Sequence, residues 1–222
     1  MSDVEVIESA TLLRILAEEH ELAGKPLRGV VSPGAGLAEA DLDGTSMEKV
    51  GLVDANLRGV RLENAQLRSV DFSRARFTGA LLHRVNARDC DFTECDFAGA
   101  EIRRCELGPL RMARAEFAGA KIQGTTFRAV ELARASFRHA VLLRSSFVDY
   151  GNSTASLGRA CLSGAVLVEV ELREANLYGA DLSRALLVRC DLRGANLACA
   201  NLAGARLVDC KTVGADFTDT TV

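Results

Sequence analysis

From Leu37 to Phe217 the chain places a large apolar residue at every fifth position, with no break in phase. Of the 37 positions in that series, all but Ala87, Asn152 and Thr212 hold Leu, Ile, Phe or Met, and all nine Phe residues of the protein fall on it. Two residues earlier runs a second series of small apolar residues, such as Ala55, Val60, Ala65, Val70, Cys90 and Cys95. Five matches neither the 3.6-residue period of a helix nor the two-residue period of a flat strand. The period therefore belongs to neither element. This is an internal repeat, and it outranks every other signal in the sequence.

Charge confirms the phase. From Gly51 onward there are 20 acidic and 23 basic residues, and none occupies either apolar series. An unpaired charge is costly to bury, so two positions in five point inward and three point outward.

The stretches "ANLYGADLSRA" (175–185) and "CDLRGANLACANLAGARL" (190–207) carry a more specific message. They resemble the A(D/N)LXX signature of the pentapeptide-repeat family, and the resemblance covers roughly residues 37–220. It implies an all-β solenoid, a right-handed quadrilateral β-helix of about nine coils, with four pentapeptides per coil and one per side. Coils stacked at about 4.8 Å give a rod roughly 45 Å long, with Gly, Asn, Asp and Ser supplying the corners. On that geometry residues twenty apart stack. Phe77, Phe97, Phe117 and Phe137 then form an internal ladder, and Phe127 and Phe147 stack on the opposite side.

Three segments are expected. In residues 1–24, "ESATLLRILAEEHELAG" offers Ser9 as an N-cap, Leu12, Leu13 and Leu16 as an apolar stripe, and Gly24 as a stop. A helix there would cap the apolar mouth of the first coil, as solenoid ends require. Residues 25–36, with two of the three Pro, read as a connection, and 37–222 as the β-helix. The far end has no such cover, which invites pairing with a second copy. Inside the array the clearest defect is "DYGNSTAS" (149–156): Tyr150 is too large for the small site and Asn152 is wrong for a centre. A short outward loop is expected there, with Asp149, Tyr150 and Asn152 as candidate contact residues, because loops on rigid scaffolds often carry recognition.

No catalytic, cofactor or metal site is expected. The "PGAGLAEA" stretch is a partial GxGxxA with no strand before it or helix after it. The seven Cys form no CxxC, and His83 and His139 fall on outward phases without a predicted partner. The thiols read as reduced and structural. A net charge of −3, the lack of an apolar stretch long enough to span a bilayer and the lack of a signal-like start point to a cytoplasmic protein that engages no membrane.

Two outward features remain. Val148, Val168, Val188 and Val208 follow central residues at intervals of twenty, with Val166 and Leu186 beside them. This is a candidate apolar interface. Between Arg103 and Arg144 lies a basic surplus, a candidate flank for an acidic partner: Arg103, Arg104, Arg111, Arg114, Lys121, Arg128, Arg134, Arg138 and Arg144.

These features favour a non-catalytic scaffold that binds another protein through the sides of a rigid rod, as a homodimer. The resemblance also implies an alternative, binding to DNA gyrase or topoisomerase IV by mimicry of duplex DNA, with inhibition or quinolone and toxin protection as the result. The array departs from that pattern in its positive net charge and in lacking the C-terminal helix through which such proteins dimerise. A second alternative is nucleic-acid binding through the Arg-rich middle. It is disfavoured because Tyr178 is the one aromatic placed outward with assurance.

Overall fold

The computed structural model describes residues 7–8, 10–19, 22–148 and 156–222. It is a right-handed quadrilateral β-helix of about nine turns with one short helix. Side one is the seven-stranded parallel sheet from Pro26–Arg28 to Ser146–Val148, and side four the eight-stranded sheet from Arg61–Glu63 to Arg206–Val208. Sides two and three are held by single parallel bridges, such as Asp71 to Asp91 and Asn56 to Arg76, and on side two also by the pairing of Leu110–Arg111 with Val130–Glu131.

The pentapeptide from Asp71 to Ala75 shows why five residues with an Asp before the Phe make one side. The Asp71 N–H donates to Val50 O in the coil before (2.9 Å). The N–H groups of Phe72 and Arg74 donate to Asp91 O (2.8 Å) and Thr93 O (2.9 Å) in the coil after. The Ala75 N–H closes the corner on Phe72 O (2.8 Å). That leaves the Ser73 N–H, which donates to Asp71 Oδ1 at 2.9 Å. Every donor is used, as a close-packed backbone requires. The Asp or Asn of the motif is thus the acceptor for the one amide that the coils do not satisfy. Asp91, Asp96, Asn176, Asp181 and Asn201 repeat the arrangement.

Corners between sides four and one solve the problem differently. The N–H groups of Cys105 and Thr125 donate to Thr125 Oγ1 (3.4 Å) and Ser145 Oγ (3.3 Å) in the next coil. Thr125 and Ser145 are buried on the small-residue series, each hydroxyl donating in turn to a backbone carbonyl. Apart from Pro109, where Gly108 takes the positive φ instead, the third outward residue of each described side from Gly24 onward takes a left-handed conformation, and it is often Arg or Glu, as at Arg74 and Glu94, rather than a turn-forming residue.

The Phe ladder is present. Phe77, Phe97, Phe117 and Phe137 stack at 4.8, 5.0 and 4.6 Å, and Phe127 stacks on Phe147 at 4.7 Å. Each aromatic adds face-to-face contact to its buried area.

Three expectations change. The segment 25–36 is coil and not a connection, since Pro26–Arg28 pairs with Ser46–Glu48 and Leu22 and Leu27 are buried in the same five-residue phase. The helix, α1 (Ala10–Glu18), is shorter than the 1–24 segment, and Ile7 before it already bridges to Leu27. Leu13 and Ala17 join the core, which places α1 against the first coil; Ser9 and the side chains of Leu12 and Leu16 lie outside the described part. The third change concerns stacking. Partners are 20 residues apart up to Arg128 and Val148, but Val141 pairs with Val166, Glu131 with Ser156 and Ser146 with Glu171. The interval between stacked partners across Val148 and Ser156 is thus one pentapeptide longer than elsewhere. The candidate loop residues Asp149, Tyr150 and Asn152 fall in this stretch and lie outside the described residues.

Candidate interaction surface

The extra pentapeptide decides which outward residues share a side. Val168, Val188 and Val208 stack on side four as expected, with Val166 and Leu186 in the neighbouring column. Val148 does not join them. It belongs to side one, beside Arg128, because partners across this stretch stand 25 and not 20 residues apart. Its place under Val168 is taken by Leu143, and Val141 lies under Val166. Sequence reasoning missed these two, although Asn152 and Tyr150 marked the cause.

The result is a flat apolar field across three successive strands, Val141–Leu143, Val166–Val168 and Leu186–Val188, extended by Val208. All seven outward side chains are half-buried, each stacked on its neighbours in the adjoining coils, Val208 on the preceding coil alone. Along one corner the field is bordered by charge. Glu169 accepts from Arg144 at 2.8 Å and pairs with Arg189 at 2.9 Å. The Arg144 hydrogen bond, more than the charge of Arg189, holds the Glu169 carboxyl below its ordinary range. Toward the N-terminal end the same side turns polar, through Lys121 and Gln123, Glu101 and Arg103, and Arg61 and Glu63. An apolar centre with a charged border is the anatomy of a protein interface.

The basic run is not one flank. Arg103, Arg104, Lys121 and Arg144 stand on side four, Arg111, Arg114 and Arg134 on side two, Arg138 on side three and Arg128 on side one. It forms a belt around the rod, and much of it is paired. Arg103 and Lys121 share Glu101 (2.7 and 3.2 Å), Arg111 meets Asp91 at 2.7 Å, and Arg114 meets Glu94 at 2.9 Å. Acids and bases also alternate up the corner of side two, in the order Asp54, Arg74, Glu94, Arg114, with Asp54 and Arg74 joined at 2.8 Å. Farther up the same corner Arg114, Arg134 and Arg159 follow one another, so the alternation is confined to the first coils of that column.

Among the described residues no three His, Cys, Asp or Glu side chains gather as a metal site, and no helix is long and apolar enough to cross a membrane. All seven cysteines are free. Burial pushes Cys90, Cys105 and Cys190 up to about 11, and Cys95 higher still, the reverse of what a nucleophile needs. A groove of about 690 Å³ runs along side one past Gln66, Arg68, Asn86 and Arg88, where Ala87 stands in for a large centre.

The pentapeptide-repeat family model matches the chain in 8 copies, over residues 35–74, 71–108, 153–187, 175–211 and 185–221. Among solved structures, the chain is similar to HetL, a pentapeptide repeat protein involved in heterocyst differentiation regulation from the cyanobacterium Nostoc sp. strain PCC 7120, at 24% identity over 95% of this chain and 92% of that one, with a TM-score of 0.42. Full-length QnrB1, a plasmid-mediated fluoroquinolone resistance protein, is 18% identical over 86% of this chain and 92% of its own, with a TM-score of 0.40. The pentapeptide repeat protein Rfr23 from the cyanobacterium Cyanothece 51142 is 17% identical over 95% and 98%, with a TM-score of 0.26. Among curated proteins, none matches this chain.

Proposed function

Because the chain belongs to the pentapeptide-repeat family, whose coils present flat sides rather than enclosed pockets, we propose that it is a non-catalytic scaffold that binds another protein through one side of a rigid rod. The observation that carries this reading is the field of seven apolar side chains on side four. Elsewhere on the array the outward residues are mostly charged, polar or small. A contiguous apolar field on an otherwise polar surface marks an interaction site. The three strands Val141–Leu143, Val166–Val168 and Leu186–Val188 beneath it are paired on both edges, so little ordering cost attends binding. The reading needs no cofactor, and seven free cysteines fit a reducing compartment such as the cytoplasm.

The test compares two variants as bait with the unaltered protein. Val168→Asp with Val188→Asp charges side four, and Ala98→Asp with Ala118→Asp charges side three as a control. Partners should be lost by the first and kept by the second; the same partner set with both would defeat the proposal. A gyrase supercoiling assay, with and without a quinolone, is run on the same proteins. Inhibition or protection that survives the side-four change would put the function on another surface and return the topoisomerase reading to first place.

A further inference from the structure

Resting on side four as the binding surface, we infer that its occupant is a second copy of this chain, laid side by side and pointing the same way, with a two-fold axis parallel to the rod. Such an axis keeps the coils level. It sets the residue before each centre opposite the residue after the same centre in the partner.

Side four is self-complementary under this operation. Arg61 and Glu63 flank one centre, so each meets the opposite charge across the axis, and Glu101 and Arg103 repeat the match two coils later. Val141 meets Leu143, Val166 meets Val168, and Leu186 meets Val188. Lys121 meets Gln123, and Leu81 meets His83. Asp41 with Asp43, at the N-terminal end, is the one like-charged level. An isologous contact must pair a surface with itself in this manner.

The antiparallel alternative is weaker on both charge and area. A two-fold axis along the strands, centred on Val166–Val168, also joins apolar to apolar, but it sets Lys121 against Arg206. It overlaps five coils, where the parallel arrangement overlaps nine. At about 4.8 Å per coil and about 3.3 Å per residue across a three-residue strand, nine levels give a footprint of roughly 430 Å² per partner. Five give roughly 240 Å². Doubled, roughly 480 Å² falls within the range of crystal contacts, whereas roughly 860 Å², before side-chain relief and the corner residues are counted, approaches the roughly 1,000 Å² of a specific interface. Nothing described obstructs the face, since α1 stands beside Ser32 to Leu37, on sides two and three.

Sedimentation equilibrium of the full chain tests the inference. The expected result is twice the 23.7 kDa chain mass, with Val168→Asp/Val188→Asp running as a folded monomer by circular dichroism. Charge reversal then separates the arrangement from any other. Glu101→Arg sets like charges opposite each other twice per dimer and should raise the dissociation constant at least about tenfold. Adding Arg103→Glu restores the match and should return it to within about threefold of the original. Three results would each overturn the inference: a monomer at concentrations up to about 100 μM, a dimer indifferent to the side-four charges, or a reversal that the second swap does not rescue. A monomer that still loses its captured partners through Val168→Asp/Val188→Asp refutes the self-pairing alone and leaves the scaffold reading standing.

Discussion

Replacing Phe117 by Ala probes whether the interior ladder holds the coils together or merely fills them. The ring is fully buried, with Phe97 at 5.0 Å on one face and Phe137 at 4.6 Å on the other, both within a few degrees of parallel. A buried aromatic removes about 150–250 Å² from water, which at about 25 cal/mol per Å² is an upper bound of about 4–6 kcal/mol. Alanine keeps the Cβ share of that, which brings the loss near the usual range of about 3–5 kcal/mol for such a change. Relaxation should recover little. The backbone on each side is pinned by the bonds from Phe117 N–H to Ser136 O (2.6 Å) and from Gly119 N–H to Arg138 O (3.0 Å), so the neighbouring rings cannot close the gap. Both stacking contacts disappear together. We expect a loss of about 4 kcal/mol, read from urea denaturation with the slope held common to both proteins. Phe217→Ala is the internal control. That ring is only partly buried in the last coil, so its loss should be about 1–2 kcal/mol. A Phe117→Ala loss below about 1 kcal/mol, or one no larger than that of Phe217→Ala, would refute the ladder as a source of stability.

Other perturbations test separate parts of the account. At Gly108 (φ +127) an added Cβ would overlap the Arg128 carbonyl, whereas at Gly179 (φ +62) it would meet only Arg159 Cγ at 3.6 Å; Gly108→Ala should therefore lower the thermal midpoint well below that of Gly179→Ala, by about 1–3 kcal/mol at the midpoint, and equal midpoints would refute the close approach. Asp191 is drawn down from its ordinary 3.8 to about 2, chiefly by its hydrogen bonds from the Arg193 side chain. A depressed carboxyl stabilises the fold fully above its unfolded value and loses that contribution as pH falls through the folded one. The stability gap between the protein and Asp191→Asn should thus be constant above about pH 5 and shrink between about pH 4 and pH 2; a gap independent of acid would remove the Arg193 contact from the account. Cys90, Cys95, Cys105 and Cys190 should resist a thiol reagent at pH 8 while exposed Cys199 reacts, and all should react in denaturant; prompt labelling of the buried four in the native protein would mean that the coils open.

The repeat made the interior legible to the residue. Large centres, small pinches and excluded charges each follow from burial, which depends only on position within a pentapeptide, and the sequence displays that phase from Leu37 to Phe217. It reaches further back, to Leu22 and Leu27, but Ser32 interrupts it on a side where Val31 is exposed, and the two Pro nearby suggest a loop. Stacking between coils was not legible in the same way. Hydrogen bonds such as Arg144 to Glu169, 25 residues apart, depend on how many pentapeptides each coil contains.

That distinction governs what a surface on this fold can be. An insertion of one residue would throw every later Leu out of the core and show at once in the pattern. An insertion of five leaves all centres buried and all charges outside, at almost no cost to the interior, whether it is wound into the coil and turns the remaining rod by one side or is left out of the stacking. Across the stretch between Val148 and Ser156 the columns continue at an interval of 25, as though five residues were not counted. If every pair stacked at an interval of twenty, Val168 and Val188 would continue the column of Arg128 and Val148 on side one. At the observed interval of 25 they follow Leu143 on side four, and apolar pairs on three successive coils become one field. The field is therefore the joint product of the outward residues and of a stacking interval that burial alone does not detect. Removing five residues from that stretch would bring Leu143 and Val168 to the regular interval of twenty and should leave the fold, its interior and the field intact. If side four is the binding surface, such a deletion would leave both association and the denaturation midpoint nearly unchanged; lost association would place the contact on the deleted stretch instead.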